Sequence, residues 1–149
     1  MPDILIASDA ASVQDEVASV LSGPDTTVRA VARGAAVRSV VAETDPDLVV
    51  VDLQITSMGG FAVCSDLRLE EGAGRIPHAK VLLLLDRRAD VFLARRCGAD
   101  GWVIKPLDPI RLRRAAEAVL AGDTYEDPSF APSPVVVPSG SDTLAGTGK

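Results

Sequence analysis

Three residues at the ends of apolar runs have side chains suited to handling a metal ion and a phosphoryl group. Asp52 closes the run Leu48-Val49-Val50-Val51. Four apolar residues, mostly β-branched, read as a strand buried on both faces, and the carboxylate after them sits at its carboxyl end. Asp9 follows the run Ile4-Leu5-Ile6-Ala7, and Lys105-Pro106 follows Gly101-Trp102-Val103-Ile104. In an open parallel α/β sheet, ligands collect at the carboxyl ends of the strands. Paired carboxylates favour a hard cation such as Mg2+, which takes oxygen ligands and keeps several waters. A lysine beside them anchors a phosphoryl oxygen or holds an aspartate ionised.

The elements that must position these residues alternate at short intervals. Asp3–Ala7 reads as a first strand and Ala11–Leu21 as a helix, with Val13, Val17, Val20 and Leu21 at helical spacing. Residues 28–32 form a weak second strand, and residues 34–43 a helix with Val37, Val40 and Val41 on one side. Asp45-Pro46 turns the chain into the strand at Leu48. A third helix over 61–70, a fourth buried strand over Val81–Leu85 and a short helix over 90–97 follow, the last closed by Gly98. Gly101–Ile104 is a fifth strand, and Pro109 starts a final helix that ends at Gly122. Five strands alternating with five helices imply parallel βαβ units with right-handed crossovers. Strands this apolar need helices on both faces. The expected fold is therefore α/β, a doubly wound five-stranded parallel sheet of flavodoxin-like order 2-1-3-4-5. That order brings Asp9, Asp52 and Lys105 to one edge.

Composition bounds the rest. The 149 residues carry a formal net charge of −6 and are 47% hydrophobic but only 3% aromatic, so the core must be aliphatic. One domain is expected over 1–122. A flexible Pro/Ser/Gly-rich tail is expected over 123–149, where Pro128, Pro132, Pro134 and Pro138 break any periodicity. Cys64 and Cys97 fall inside predicted helices and are expected to be reduced thiols in a cytoplasmic protein. No apolar stretch approaches the roughly 20 residues of a membrane span. The acidic balance argues against direct contact with nucleic acid, which needs clustered positive charge. The pairs Arg87-Arg88, Arg95-Arg96 and Arg113-Arg114 read as solvated helix faces. His78, the one histidine, reads as a surface residue.

Residues 3–121 resemble the receiver domain of bacterial two-component response regulators. The resemblance rests on Ile4-Leu5-Ile6-Ala7-Ser8-Asp9, Pro46-Asp47-Leu48-Val49-Val50-Val51-Asp52-Leu53, Met58-Gly59-Gly60-Phe61, Gly98-Ala99-Asp100-Gly101-Trp102 and Lys105-Pro106, in order and at the right spacing. It implies that Asp52 takes a phosphoryl group from a histidine kinase or another phosphodonor. It implies that Asp9, Asp52 and the backbone carbonyl of Gln54 hold Mg2+, and that Lys105 contacts the phosphoryl group. The Lys105-Pro106 peptide resembles the family's cis bond, and Trp102 falls where the family has an aromatic that changes rotamer on activation. Trp102 also has the plainer reading of half-buried packing, and Asp9 that of a helix cap.

The departures from the family pattern are specific. Ser8 stands where a second acid is usual, and Thr56 where proline is frequent. A carboxylate near a divalent ion contributes on the order of several kcal/mol before screening, so Mg2+ affinity is expected to fall. The hydroxyl expected after the fourth strand is replaced by Leu85 or Asp86, depending on register. Its loss removes a hydrogen bond to phosphoryl worth roughly 1.5–3 kcal/mol. The short connection after Asp86 makes the fourth-helix surface atypical. Asp86 has three readings: a solvent-facing turn residue, which is the plain one; a partner for Lys105; or a replacement for the missing acid.

Three functions compete. The first is a phosphoacceptor that signals through a face made by the fourth helix, fifth strand and fifth helix, carrying Arg95, Arg96, Trp102, Arg113 and Arg114, to a protein partner or a second copy. With no DNA-binding domain in the chain, output is expected through protein contacts. The second is a phosphate-independent pseudo-receiver that binds a protein partner. The third, an enzyme proper, fits poorly. A phosphohydrolase would need an acid where Gln54 stands, and a flavin protein an anion-binding loop where Ser8-Asp9-Ala10-Ala11 is acidic.

Overall fold

Every residue of the strands β3 (Leu48–Asp52) and β4 (Val81–Leu85) is buried, and the fold is built outward from this pair. The computed structural model describes residues 2–128. The remaining elements are β1 (Asp3–Ala7), α1 (Ala11–Leu21), β2 (Thr27–Val31), α2 (Val37–Thr44), α3 (Gly60–Gly72), α4 (Val91–Arg96), β5 (Gly101–Ile104), α5 (Pro109–Leu120) and β6 (Tyr125–Glu126). Short 3-10 turns at Gly34–Ala36 and Arg88–Asp90 lead into α2 and α4. The sheet runs β2-β1-β3-β4-β5-β6 with every pair parallel. The expected order 2-1-3-4-5 is thus present.

Period-two alternation divides the apolar strand residues between two cores. Leu5, Val49, Val51, Leu83 and Leu85 point toward α2, α3 and α4, where they meet Val37, Val41, Val63, Leu67 and Ala94. Ile4, Ile6, Val50, Leu82 and Leu84 point the other way, onto Val17 and Val20 of α1 and Leu112, Ala116 and Val119 of α5. Helices on both faces follow from strands that are apolar at every position. β2 is the exception. Among the described strands it pairs only with β1, and most of its residues reach solvent, although Val28 and Val31 still pack against the two cores.

The expectation of five strands with a tail from 123 needs correction. Tyr125 and Glu126 pair in parallel with Gly101 and Trp102 and form a sixth strand on the edge of β5. A two-residue strand has too little length to show any periodicity in sequence. Asp127 fixes it in place instead, because its carboxylate accepts the Ile104 N–H at 2.8 Å. The rest of the predicted tail, including Pro134-Val135-Val136-Val137-Pro138, lies outside the described residues. Cys64 lies within α3, while Cys97, expected inside a helix, is the residue after α4; both are free cysteines.

Leu83 packs between β3 and β5 with no exposure. Truncation to Ala there is expected to lower unfolding free energy by about 2–5 kcal/mol, as cavity-forming core substitutions do. A urea titration reads this as a lower midpoint at unchanged slope.

Candidate functional site

The strand ends meet as the topology requires. β3 and β4 run in register to Asp52 opposite Leu84, and β4 and β5 to Leu85 opposite Ile104. The next residues, Leu53, Asp86 and Lys105, leave the sheet edge together. The Lys105 N–H still reaches Leu85 O at 2.8 Å, and the Lys105-Pro106 peptide is cis, as the resemblance implied. Gly60 begins α3 against this edge. A Cβ there would lie 2.7 Å from Leu53 Cα and 2.9 Å from Asp52 O, so only glycine lets the helix start so near.

Asp52 has 1% of its surface exposed, and a carboxylate buried this far must be paired. Lys105 Nζ donates to its Oδ1 at 2.6 Å, and the Gln54 N–H donates to the same oxygen at 3.1 Å. The Ser8 hydroxyl donates to Oδ2 at 2.8 Å. Ser8 is wholly buried, and its Oγ also accepts the Ala10 N–H at 3.1 Å. Gln14 holds the Ser8 carbonyl through its side-chain amide. Serine thus occupies the position of the usual second acid and hydrogen-bonds the aspartate that a second acid would repel.

Asp86 is not a free turn residue, and the plain reading of it is corrected. Its Oδ1 lies 3.1 Å from Lys105 Nζ, and its Oδ2 accepts from Gln54 Nε2 at 2.7 Å. Leu85 is fully buried in the core and brings no polar group to the site, which settles the register. Lys105 therefore bridges two carboxylates, Asp52 and Asp86. Burial works to lower the Lys105 pKa, but the hydrogen bonds it donates to Asp52 and Asp86 outweigh it, and the ammonium is held above its ordinary value.

Asp9, one residue past Ser8, is exposed. It does not cap α1: the N-cap is Ala10, with no side-chain cap. Among the described residues no three His, Cys, Asp or Glu side chains gather as a metal site. The expected Mg2+ ligands Asp9, Asp52 and the Gln54 carbonyl are retained, and the donor set departs from the family pattern at the neighbouring acid. One acid is a serine whose hydroxyl points at Asp52, and both Asp52 oxygens are already engaged by the protein.

Trp102 is buried at 4% exposure rather than half-buried, with the Arg95 guanidinium 5.5 Å above its ring. Arg95 in turn pairs with Glu126 at 2.8 Å. Arg113, expected on the same face, instead donates to Val20 O of α1 at 2.8 Å. Sequence reasoning missed Arg111, which lies 3.3 Å from Asp127, and no local pattern singles it out from its arginine neighbours.

Comparison with known proteins agrees with this geometry. The family described as response regulator receiver domain matches residues 4–117. The DNA-binding response regulator MtrA of Mycobacterium tuberculosis is 33% identical over 109 residues, covering 73% of this chain and 46% of MtrA. The nitrate/nitrite response regulator protein NarL of Escherichia coli is 30% identical over 131 residues, covering 87% of this chain and 59% of NarL. The chain thus spans about half the length of the curated relatives it matches. The relatives described as DNA-binding lend no support to the expectation that nucleic acid is not contacted. Among solved structures, a LuxR-family two-component response regulator from Aurantimonas is 29% identical with a TM-score of 0.74, over 86% of this chain and 91% of that one. The chemotaxis response regulator CheY4 of Vibrio cholerae shares the fold at 21% identity and a TM-score of 0.71, over 80% and 98% of the two chains. No helix among the described residues is long and apolar enough to cross a membrane. The sheet order, the aspartate at the end of β3 held by a lysine after β5, and these matches together show that the chain belongs to the response regulator receiver domain family, a signalling rather than a classically enzymatic family.

Proposed function

We propose that Asp52 is the phosphoacceptor of a cytoplasmic phosphorelay and that Lys105 is its electrostatic partner in the transfer. The observation that carries this reading is the Lys105–Asp52 contact at 2.6 Å, on a carboxylate that is otherwise sealed at the end of a buried strand. A carboxylate oxygen of Asp52 attacks phosphorus and the bond to the donor breaks, at the nitrogen of a phosphohistidine or the acyl oxygen of acetyl phosphate. The Lys105 ammonium then stabilises the transferred phosphoryl oxygens. Output passes to a protein partner through the surface around α4, β5 and α5, with Trp102 on its inner side as the switch aromatic.

Ser8 and Asp86 set the terms of this reaction. Oδ2 becomes nucleophilic only when the Ser8 hydroxyl turns away, and Lys105 serves the phosphoryl group only by giving up Asp86. Both steps slow transfer relative to a receiver with two acids and a hydroxyl. Of the expected Mg2+ ligands, Asp9, Asp52 and the Gln54 carbonyl, only Asp52 is in the buried cluster as a side chain, and it is occupied. A specific observation also favours the second reading, a phosphate-independent pseudo-receiver. The protein balances Asp52 with its own cation and hydroxyl, so the site is complete without added ligand.

Incubation of the chain with acetyl phosphate is expected to give a phosphoryl adduct by intact mass, and Asp52→Asn none. A folded wild type that never gains the adduct selects the pseudo-receiver. Asp86→Asn is expected to speed adduct formation several-fold, because Lys105 then has one carboxylate to serve. Ser8→Asp is expected to create Mg2+ binding measurable by titration calorimetry where the wild type shows little. The raised Lys105 pKa carries a sign: its stabilising effect is complete below the unfolded value of 10.5 and is lost as pH rises through the higher folded value. The stability gap between wild type and Lys105→Met is therefore expected to narrow above pH 10.5 in denaturant titrations at increasing pH.

A further inference from the structure

The edge of β5 is filled by the chain's own residues 125–127, and the way they sit describes what that edge accepts. Tyr125 and Glu126 pair in parallel with Gly101 and Trp102, and the Tyr125 N–H donates to Asp100 O at 3.1 Å. Glu126 then meets Arg95 at 2.8 Å, and Asp127 meets the Ile104 N–H at 2.8 Å and Arg111 at 3.3 Å. Asp127 has a fully buried side chain, whereas Arg95 and Glu126 are both more than half exposed. The edge thus takes an extended backbone and two consecutive carboxylates, each opposite its own arginine.

Gly101 makes the close approach possible. A Cβ at that position would stand 2.8 Å from Tyr125 O. Beside the strand, among the described residues, lies a cavity of about 570 Å³ lined by Arg88, Val91, Phe92, Arg95, Trp102 and Pro128. Phe92 on its rim is 63% exposed. The strand that closes the edge is only two residues long, the shortest element of the sheet, and short edge elements open at low free energy.

We propose that the β5 edge is a docking site for an extended acidic segment of a partner protein, and that Tyr125-Glu126-Asp127 occupies it in cis as a stand-in for that segment. Strand addition supplies the affinity through the backbone, and the arginines select paired carboxylates. The partner's segment must run parallel to β5 and place two acids in the register of Glu126 and Asp127. This inference names the chemistry of the partner at the output surface proposed above and rests on that reading, while its test needs no phosphorylation of Asp52.

The test uses the full chain and a labelled synthetic peptide, Asp-Thr-Tyr-Glu-Asp-Pro, read by fluorescence anisotropy. Asp127→Ala removes the anchor of the internal strand, and the peptide is expected to bind this variant at least tenfold more tightly than wild type. Replacing the peptide's Glu and second Asp by Gln and Asn is expected to abolish binding. Adding Gly101→Ala to Asp127→Ala is expected to do the same, since no strand can then approach. Equal affinity for wild type and Asp127→Ala, or binding that survives loss of the two acids, overturns the proposal. So does an Asp127→Ala chain that ignores the peptide and sediments as a dimer, which would assign the edge to a second copy. Should Asp127→Ala fail to fold by circular dichroism, Glu126→Lys, on an exposed side chain, takes its place with the same expected ordering.

Discussion

A carboxylate at the end of a buried strand must be answered by the protein, and the answer to Asp52 organises this molecule. Lys105 cannot reach it unless β5 lies two strands from β3 with its end at the same height. That requires β4 between them, apolar along its whole length. The registers of β3 on β4 and of β4 on β5 are therefore the geometry of one ion pair as much as the geometry of a sheet. The two helical layers follow, because strands with both faces apolar must be covered on both sides.

The local electrostatics depart from a site designed around a cation. Two neighbouring acids would repel one another and Asp52, and a divalent ion would relieve that repulsion. Ser8 takes one acid out of this repulsion and adds a donor, while Asp86 gives Lys105 a second acceptor. The result is a cluster of two carboxylates, one ammonium, one hydroxyl and the Gln54 amide groups, in which each carboxylate oxygen has a protein donor. Such networks hold one arrangement firmly and resist partial opening. Speed of phosphorylation and completeness of the resting network therefore oppose each other in this chain.

The opposite side of β5 carries the same economy of charge. Arg95 is shared between the Trp102 ring and Glu126, and Arg111 faces Asp127. Ile104, whose N–H holds Asp127, immediately precedes Lys105. One short strand thus carries the site's cation at its end and the sixth strand's anchor one residue earlier, so the two surfaces share a rigid backbone.

The parallel five-strand order, the two-sided core and the meeting of Asp52 with Lys105 were legible in the sequence. Apolar runs of four or five residues, each followed by one polar residue at the strand end, leave few other arrangements. Ser8 was legible as a missing acid, but not as a donor to Asp52. The partner of Asp86 was not legible, because a turn residue's direction depends on how two strand ends are staggered. Nor was β6, since two residues show no period and their place is set by Asp127 reaching a backbone N–H on β5. Local pattern determines which segments are buried and where charges enter. Only the packed structure decides which charge meets which, because partners 19 to 53 residues apart are chosen by sheet register and by the cost of leaving any buried polar group unpaired.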